Sequence, residues 1–187
     1  MKLSNSKSFE REFRIDSKLI YSGQIIEVKV DRVVLPDGSE TTREVVFHVP
    51  AVVIVPVDKS NNLIMVSQYR YAINKRILEF PAGGLDKDET PEECAQRELR
   101  EETGFGSKKL LNLGGFWSAP GFLTEYLHVF LALELFPSRL EPDSDEMISI
   151  CKFSLTEVEI MMANRQIQDS KSVAALYFAM NSNDFPV

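Results

Sequence analysis

Between Pro81 and Phe105 the chain reads PAGGLDKDETPEECAQRELREETGF, and this stretch leaves the backbone few choices. Thr90-Pro91-Glu92-Glu93 has the form of a capping box, with Thr90 as N-cap, Glu93 reaching back to it, and proline at the first helical position, where a missing N–H costs nothing. Gly104 is placed to end the helix in a left-handed conformation. A helix is therefore expected over residues 91–103. On it Glu98, Glu101 and Glu102 stand at i, i+3 and i+4 and so project from one face. Like charges at these spacings repel by roughly a few tenths of a kcal/mol per pair. The 28 acidic and 21 basic residues already leave a formal charge of -7, so the crowding calls for an offset.

Two explanations compete. A charge run on a helix is commonly a solvated face whose carboxylates pair with lysine or arginine. Alternatively, three converging carboxylates supply hard oxygen ligands to a divalent cation, Mg²⁺ or Mn²⁺. The segment ahead of the helix favours the cation. Ala82-Gly83-Gly84 permits a tight backbone path and lets a main-chain carbonyl face a ligand.

Other chemistries find little support. Cys94 and Cys151 lack CxxC spacing, and with only His48 and His128 available a closed zinc site is disfavoured; both histidines read as partly buried strand residues. The acidic balance argues against broad nucleic-acid binding, so an anionic substrate would need a mediating cation. The longest apolar run, VPAVVIVPV, is too short to span a bilayer. The N-terminal MKLSNSKSFEREF has neither a signal peptide's apolar segment nor a membrane anchor, which reads as a cytoplasmic chain.

At 187 residues one sizeable core with a small appended subdomain is expected. Residues 18–48 alternate in strand fashion around a turn at Pro36-Asp37-Gly38, marking a β-rich subdomain over residues 1–48. Such a small sheet rarely stands alone, so it should pack on the main domain or on a second subunit. Residues 49–187 then form the main domain. VVIVPVD and LIMVSQYR, separated by SNN, read as a second hairpin buried on both faces. LLNLGGFW and EYLHVFLALEL read as further strands, LTEVEIMMANRQ and SKSVAALYFAM as helices. Mixed strands with helices between and after them predict an α+β or layered α/β/α fold.

Gly83, Glu89, Arg97, Glu98, Leu99, Glu101, Glu102, Gly104 and Phe105 together fill every defined position of a pattern that resembles the Nudix box. Phe105 stands where an aliphatic residue is more usual. The resemblance implies an α/β/α sandwich with a mixed central sheet, and hydrolysis of a diphosphate joined to another group with the help of divalent cations. It implies Glu98, Glu101, Glu102 and the carbonyl of Ala82 as metal ligands, with Arg97 and Glu89 orienting the carboxylates.

QYRYAINKRILEFPAG is similar to the strand before the box in ADP-ribose pyrophosphatases and related nucleoside diphosphate sugar hydrolases, implying that Arg70 contacts phosphate and that Glu79 lies near the substrate. Pro120, sixteen residues after Gly104, stands where that subfamily carries a marker proline. LPDG and TTREVV resemble its dimer-forming N-terminal subdomain, which implies a homodimer. A catalytic base or further metal ligand is expected in EPDSDEMISI, with Glu146 chosen over Asp143 and Asp145, against the plainer reading of a solvated acidic loop. Arg43 and Phe47 are candidates to reach a nucleobase across the dimer, and Tyr69 or Trp117 to stack on it, with core packing as the competing role for the aromatics. The expected function is Mg²⁺-dependent cleavage of nucleoside diphosphate sugars, ADP-ribose and GDP-mannose among them, to a nucleoside monophosphate and a sugar phosphate. The alternatives keep the fold but assign a nucleoside triphosphate, a dinucleoside polyphosphate or capped RNA, or make it a binding module without turnover.

Overall fold

The computed structural model describes residues 11–141 and 147–186. They divide into two compact units: residues up to Val49 together with Ala119–Glu125, and Pro50–Ser118 together with the chain from Tyr126 onward.

The first unit is an antiparallel sheet of β1 (Phe13–Ser22), β2 (Glu27–Val34) and β3 (Glu40–Phe47), in that order. The β2–β3 hairpin turns at Pro36-Asp37-Gly38, where the Asp37 carboxylate accepts hydrogen bonds from the backbone N–H and hydroxyl of Ser39. Its register pairs Val34 with Glu40 and Glu27 with Phe47. Residues 119–125 join this unit through the Val46 N–H, which donates to Phe122 O at 2.8 Å, and Thr124 N–H, which donates to Val46 O at 3.0 Å.

The second unit holds β4 (Ala51–Pro56), β5 (Asn62–Arg70), a 3₁₀ turn (Tyr71–Ile73), β6 (Lys75–Glu79), β7 (Ala82–Gly84), α1 (Pro91–Thr103), β8 (Phe105–Trp117), β9 (Tyr126–Pro137), β10 (Ser149–Ser154), α2 (Leu155–Ala163) and α3 (Ser170–Met180). A mixed sheet runs β7-β4-β9-β8, with β4 and β9 parallel, and a second sheet runs β10-β5-β6. Along β4 successive side chains point to opposite faces. Val52 and Ile54 pack with Cys94, Ala95 and Leu99 of α1, while Val53 and Val55 pack with Ala175, Leu176 and Ala179 of α3. All four are fully buried, which is why this strand shows no polar alternation. The fold is mixed α and β, with helices against both faces of β4.

The expected hairpin between VVIVPVD and LIMVSQYR does not form. Both edges of β4 are taken, by β7 and β9, and β5 pairs instead with β6 and β10. The two runs pack together in the core, but their strand pairing is limited to one isolated bridge, Val57 with Leu63. The Asp58 carboxylate organises the intervening turn by accepting from the N–H groups of Ser60 and Asn62. QYRYAINKRILE is likewise two strands around the 3₁₀ turn rather than one. The helix in LTEVEIMMANRQ stops at Ala163, with Asn164 as its C-cap.

The box helix has the expected bounds. Thr90 Oγ1 accepts from the Glu93 N–H, the Glu93 carboxylate accepts the Thr90 N–H at 2.9 Å, and Gly104 closes the helix at φ 75°. Its inner face carries Cys94, Ala95, Leu99 and Thr103, flanked by two of the three glutamates.

Candidate active site

Glu98 and Glu102 are nearly buried, at 8% and 4% exposure, because they flank Leu99 on the side of α1 that faces the sheet. Gly83 makes room for this. A Cβ at Gly83 would lie 2.0 Å from Glu98 Oε1, so only glycine lets that carboxylate lie against the backbone of the box loop. Arg97 ties the parts together. Its Nε and Nη2 each donate to Glu89 at 2.9 Å, Nη1 donates to Glu98 at 2.6 Å and to Glu101 at 3.0 Å, and Nη2 also reaches the Gly84 carbonyl at 3.0 Å. This is the Glu89–Arg97 pairing expected from the resemblance, with the guanidinium also clamping loop to helix.

The electrostatics follow. Hydrogen bonds from Arg97 hold the Glu89 carboxyl well below its ordinary value, to about 2. The Arg97 guanidinium is raised in turn, first by Glu89. Burial pushes the Cys94 thiol up, so this cysteine, whose Sγ lies 3.4 Å from the Gly84 carbonyl, is a packing residue and not a nucleophile.

Four carboxylates, the partly buried Glu89, Glu98 and Glu101 and the exposed Asp86 at 3.8 Å, share the single positive charge of Arg97, which leaves three negative charges in excess around it. The expected convergence of the three helix carboxylates on one point differs in detail. Among the described residues no three His, Cys, Asp or Glu side chains gather in a metal-binding cluster; Glu98 and Glu101 turn to Arg97, the adjacent counter-charge. The donor set is nonetheless all hard oxygen, glycine opens the approach to Glu98, and the excess charge is negative. These residues fit a divalent cation. A cleft of about 90 Å³ beside them is lined by Glu101, Glu102, Gly104, Arg139, Ile148 and Ile150. Larger clefts, of about 450 and 560 Å³, lie at the Val57–Asn61 turn and at Tyr21–Ile26, and contain none of the box glutamates. Charge, rather than size, marks the site.

Arg70 and Glu79 meet as a fork: Nε and Nη2 of Arg70 donate to the two oxygens of Glu79, each at 2.7 Å. Glu79 is 1% exposed, so the structure places this glutamate behind the arginine, whose side chain stays 40% exposed. The charge of Glu102 also reaches Arg70, linking this pair to the box helix. Sequence reasoning missed a further member, Lys171 of α3, whose Nζ contacts Glu79 and lies 3.0 Å from Asp169. Burial pushes the Glu79 carboxyl up, but Arg70 and Lys171 outweigh it and leave it below its ordinary value. A lone lysine 92 residues from its partner carries no local signal.

The remaining candidates are dispersed. Arg43, on β3 of the first unit, is exposed and forks onto Glu12 at 2.7 and 3.0 Å. Phe47 lies under the ammonium of Lys29, 4.3 Å from ring centroid to Nζ. Pro120 is exposed in the loop grouped with that unit. Tyr69 and Trp117 are not core residues: both are about half exposed, Tyr69 bonded to Asn74 and Trp117 edge-on to Tyr126 at 5.0 Å. Tyr126 meets His128 in the same way at 4.9 Å, and burial lowers the His128 imidazole. Glu146, Asp143 and Asp145 lie outside the described residues.

Comparison with known proteins gives the family. Residues 47–176 match the NUDIX domain, and residues 14–46 match the nucleoside diphosphate sugar hydrolase N-terminal domain. The ADP-ribose pyrophosphatase of Bacillus subtilis (strain 168) is 39% identical over 174 residues, covering 92% of this chain and 94% of that protein. The methanol dehydrogenase activator of Bacillus methanolicus is 38% identical over 176 residues, with the same coverage of each. A crystal structure of an ADP compounds hydrolase superposes with a TM-score of 0.84 at 25% identity, over 94% of this chain and 95% of that one. With the NUDIX domain matched over most of its length and the N-terminal domain of nucleoside diphosphate sugar hydrolases directly before it, the chain belongs to the Nudix family.

Proposed function

We propose that this Nudix pyrophosphohydrolase hydrolyses the diphosphate bond of nucleoside diphosphate sugars, ADP-ribose among them, releasing a nucleoside monophosphate and a sugar phosphate. The observation that carries the reading is the excess of hydrogen-bonded carboxylate around Arg97, together with the partly exposed Arg70, which the charge of Glu102 on the same helix reaches. An anionic diphosphate is served by such a pair of features: a direct cation and a carboxylate set that recruits others. The likeness to an ADP-ribose pyrophosphatase along 92% of the chain supports the substrate class.

Glu98, Glu101, Glu102 and the Ala82 carbonyl would hold Mg²⁺ or Mn²⁺, which when bound neutralises phosphate charge and acidifies a coordinated water. The chain's own contributions are positional. Arg97 and Glu89 fix the carboxylates in orientation, Gly83 admits Glu98 to the backbone, and Arg70, backed by Glu79, offers its remaining N–H groups to a phosphate oxygen. Glu146 is the proposed base, and Arg43 and Pro120 are proposed substrate contacts on the first unit. The exposed apolar side chains of β1 support a homodimer.

The test is cleavage, read as the nucleotide products formed, of ADP-ribose, ADP-glucose, GDP-mannose, UDP-glucose, ATP and diadenosine polyphosphates, in Mg²⁺ and in EDTA. EDTA-sensitive cleavage of the diphosphate sugars, lowered about 100-fold or more by Glu102→Gln with the fold intact, is the expected result. Cleavage confined to ATP or the diadenosine compounds would replace the substrate class. Silence across the panel, with nucleotide sugar still bound, would favour a binding module.

A further inference from the structure

Glu79 sits at the end of β6 with both carboxylate oxygens engaged: Arg70 takes each of them, and Lys171 takes Oε2 a second time. At 1% exposure it is held behind two cations and cannot itself face a substrate. Lys171 is pinned in turn. Asp169, the N-cap of α3, lies 3.0 Å from its ammonium and accepts from the N–H of Ser172 at 3.0 Å and from its hydroxyl at 2.5 Å. The Ser172 hydroxyl accepts the backbone N–H of Phe80 at 2.7 Å. The first turn of α3 is thereby bonded to the side chain of one residue and the backbone of the next, closing a circuit behind Arg70. Two acids and two bases balance within it, as a buried group of this kind requires.

We propose that Lys171, with Asp169, is a positioning residue that acts through Glu79 to aim Arg70 at a phosphate of the substrate. Arg70 alone would fix the fork but not the plane in which the Glu79 carboxylate presents it. Lys171 loads one oxygen and removes that freedom, so less ordering remains to be done when a diphosphate binds. This rests on Arg70 being a phosphate contact.

The test is a double-substitution cycle on ADP-ribose in Mg²⁺, reading KM, kcat and thermal midpoint for Arg70→Ala, Lys171→Met and the pair. Each single change is expected to raise KM about tenfold with a smaller effect on kcat, the pair to be no worse than Arg70→Ala, and Lys171→Arg to restore KM. Multiplying effects would overturn the proposal, because Lys171 would then act without Arg70; so would an unchanged KM in Lys171→Met. An unchanged KM in Arg70→Ala would remove the phosphate role on which this rests, independently of the lysine result. If Lys171→Met does not fold, Asp169→Asn, which keeps the helix cap, takes its place in the cycle with the same outcomes.

Discussion

Gly83 shows how a single missing atom serves the site. A methyl group there would overlap the carboxylate of Glu98, which is the far end of a flexible side chain and can swing away at modest cost. Gly83→Ala should therefore fold with a nearly unchanged thermal midpoint and lose at least about tenfold in turnover, since small displacements of reacting groups are felt steeply. Retained activity would mean that Glu98 need not lie against the loop. Glu89 allows a test of the clamp by pH. Its carboxyl is depressed from 4.5 to about 2, so its pairing with Arg97 stabilises the folded chain fully above the ordinary value and is lost as pH falls toward the lower one. Glu89→Gln should lower the thermal midpoint at neutral pH, and its deficit against the unmodified chain should shrink across that window. A deficit independent of pH would show that shape, not charge, is what Arg97 needs.

At the scale of elements, α1 depends on its ends. The capping box and Gly104 satisfy backbone groups that the first and last turns leave open. Thr90→Ala removes one acceptor and its exchange with Glu93, and should cost about 1 kcal/mol, a fall of about 2–4 °C in the thermal midpoint for a chain of this size. A change within error would indicate that Pro91 and packing against β4 suffice to start the helix. On the proposed function the helix matters because its rigid spacing keeps three carboxylates on one face, beside a loop in which Gly83 makes room for Glu98.

At the scale of the whole molecule the exposed face of β1 bears on association. All ten residues of β1 are exposed, and Phe13, Ile15, Leu19, Ile20 and Tyr21 leave apolar surface that a lone chain rarely carries. Light scattering in solution should give the mass of two chains, and Leu19→Glu with Ile20→Glu should reduce it to one. A single-chain mass for the unmodified protein would refute the dimer.

What could be read along the chain was what local rules govern. The bounds of α1, the face shared by Glu98, Glu101 and Glu102, the β2–β3 turn and the positions of α2 and α3 follow from capping, periodicity and turn chemistry, each complete within a few residues. Strand pairing did not follow. β4 is buried on both faces, so its residues carry no alternation to say which neighbour lies on either edge, and the parallel pairing with β9 is a choice made by the folded chain. The meeting of Lys171 with Glu79 across 92 residues belongs to that same level. A positive charge acquires its role there only once α3 has docked beside β6, because sequence spacing encodes contacts along an element and not contacts between elements brought together by a common core.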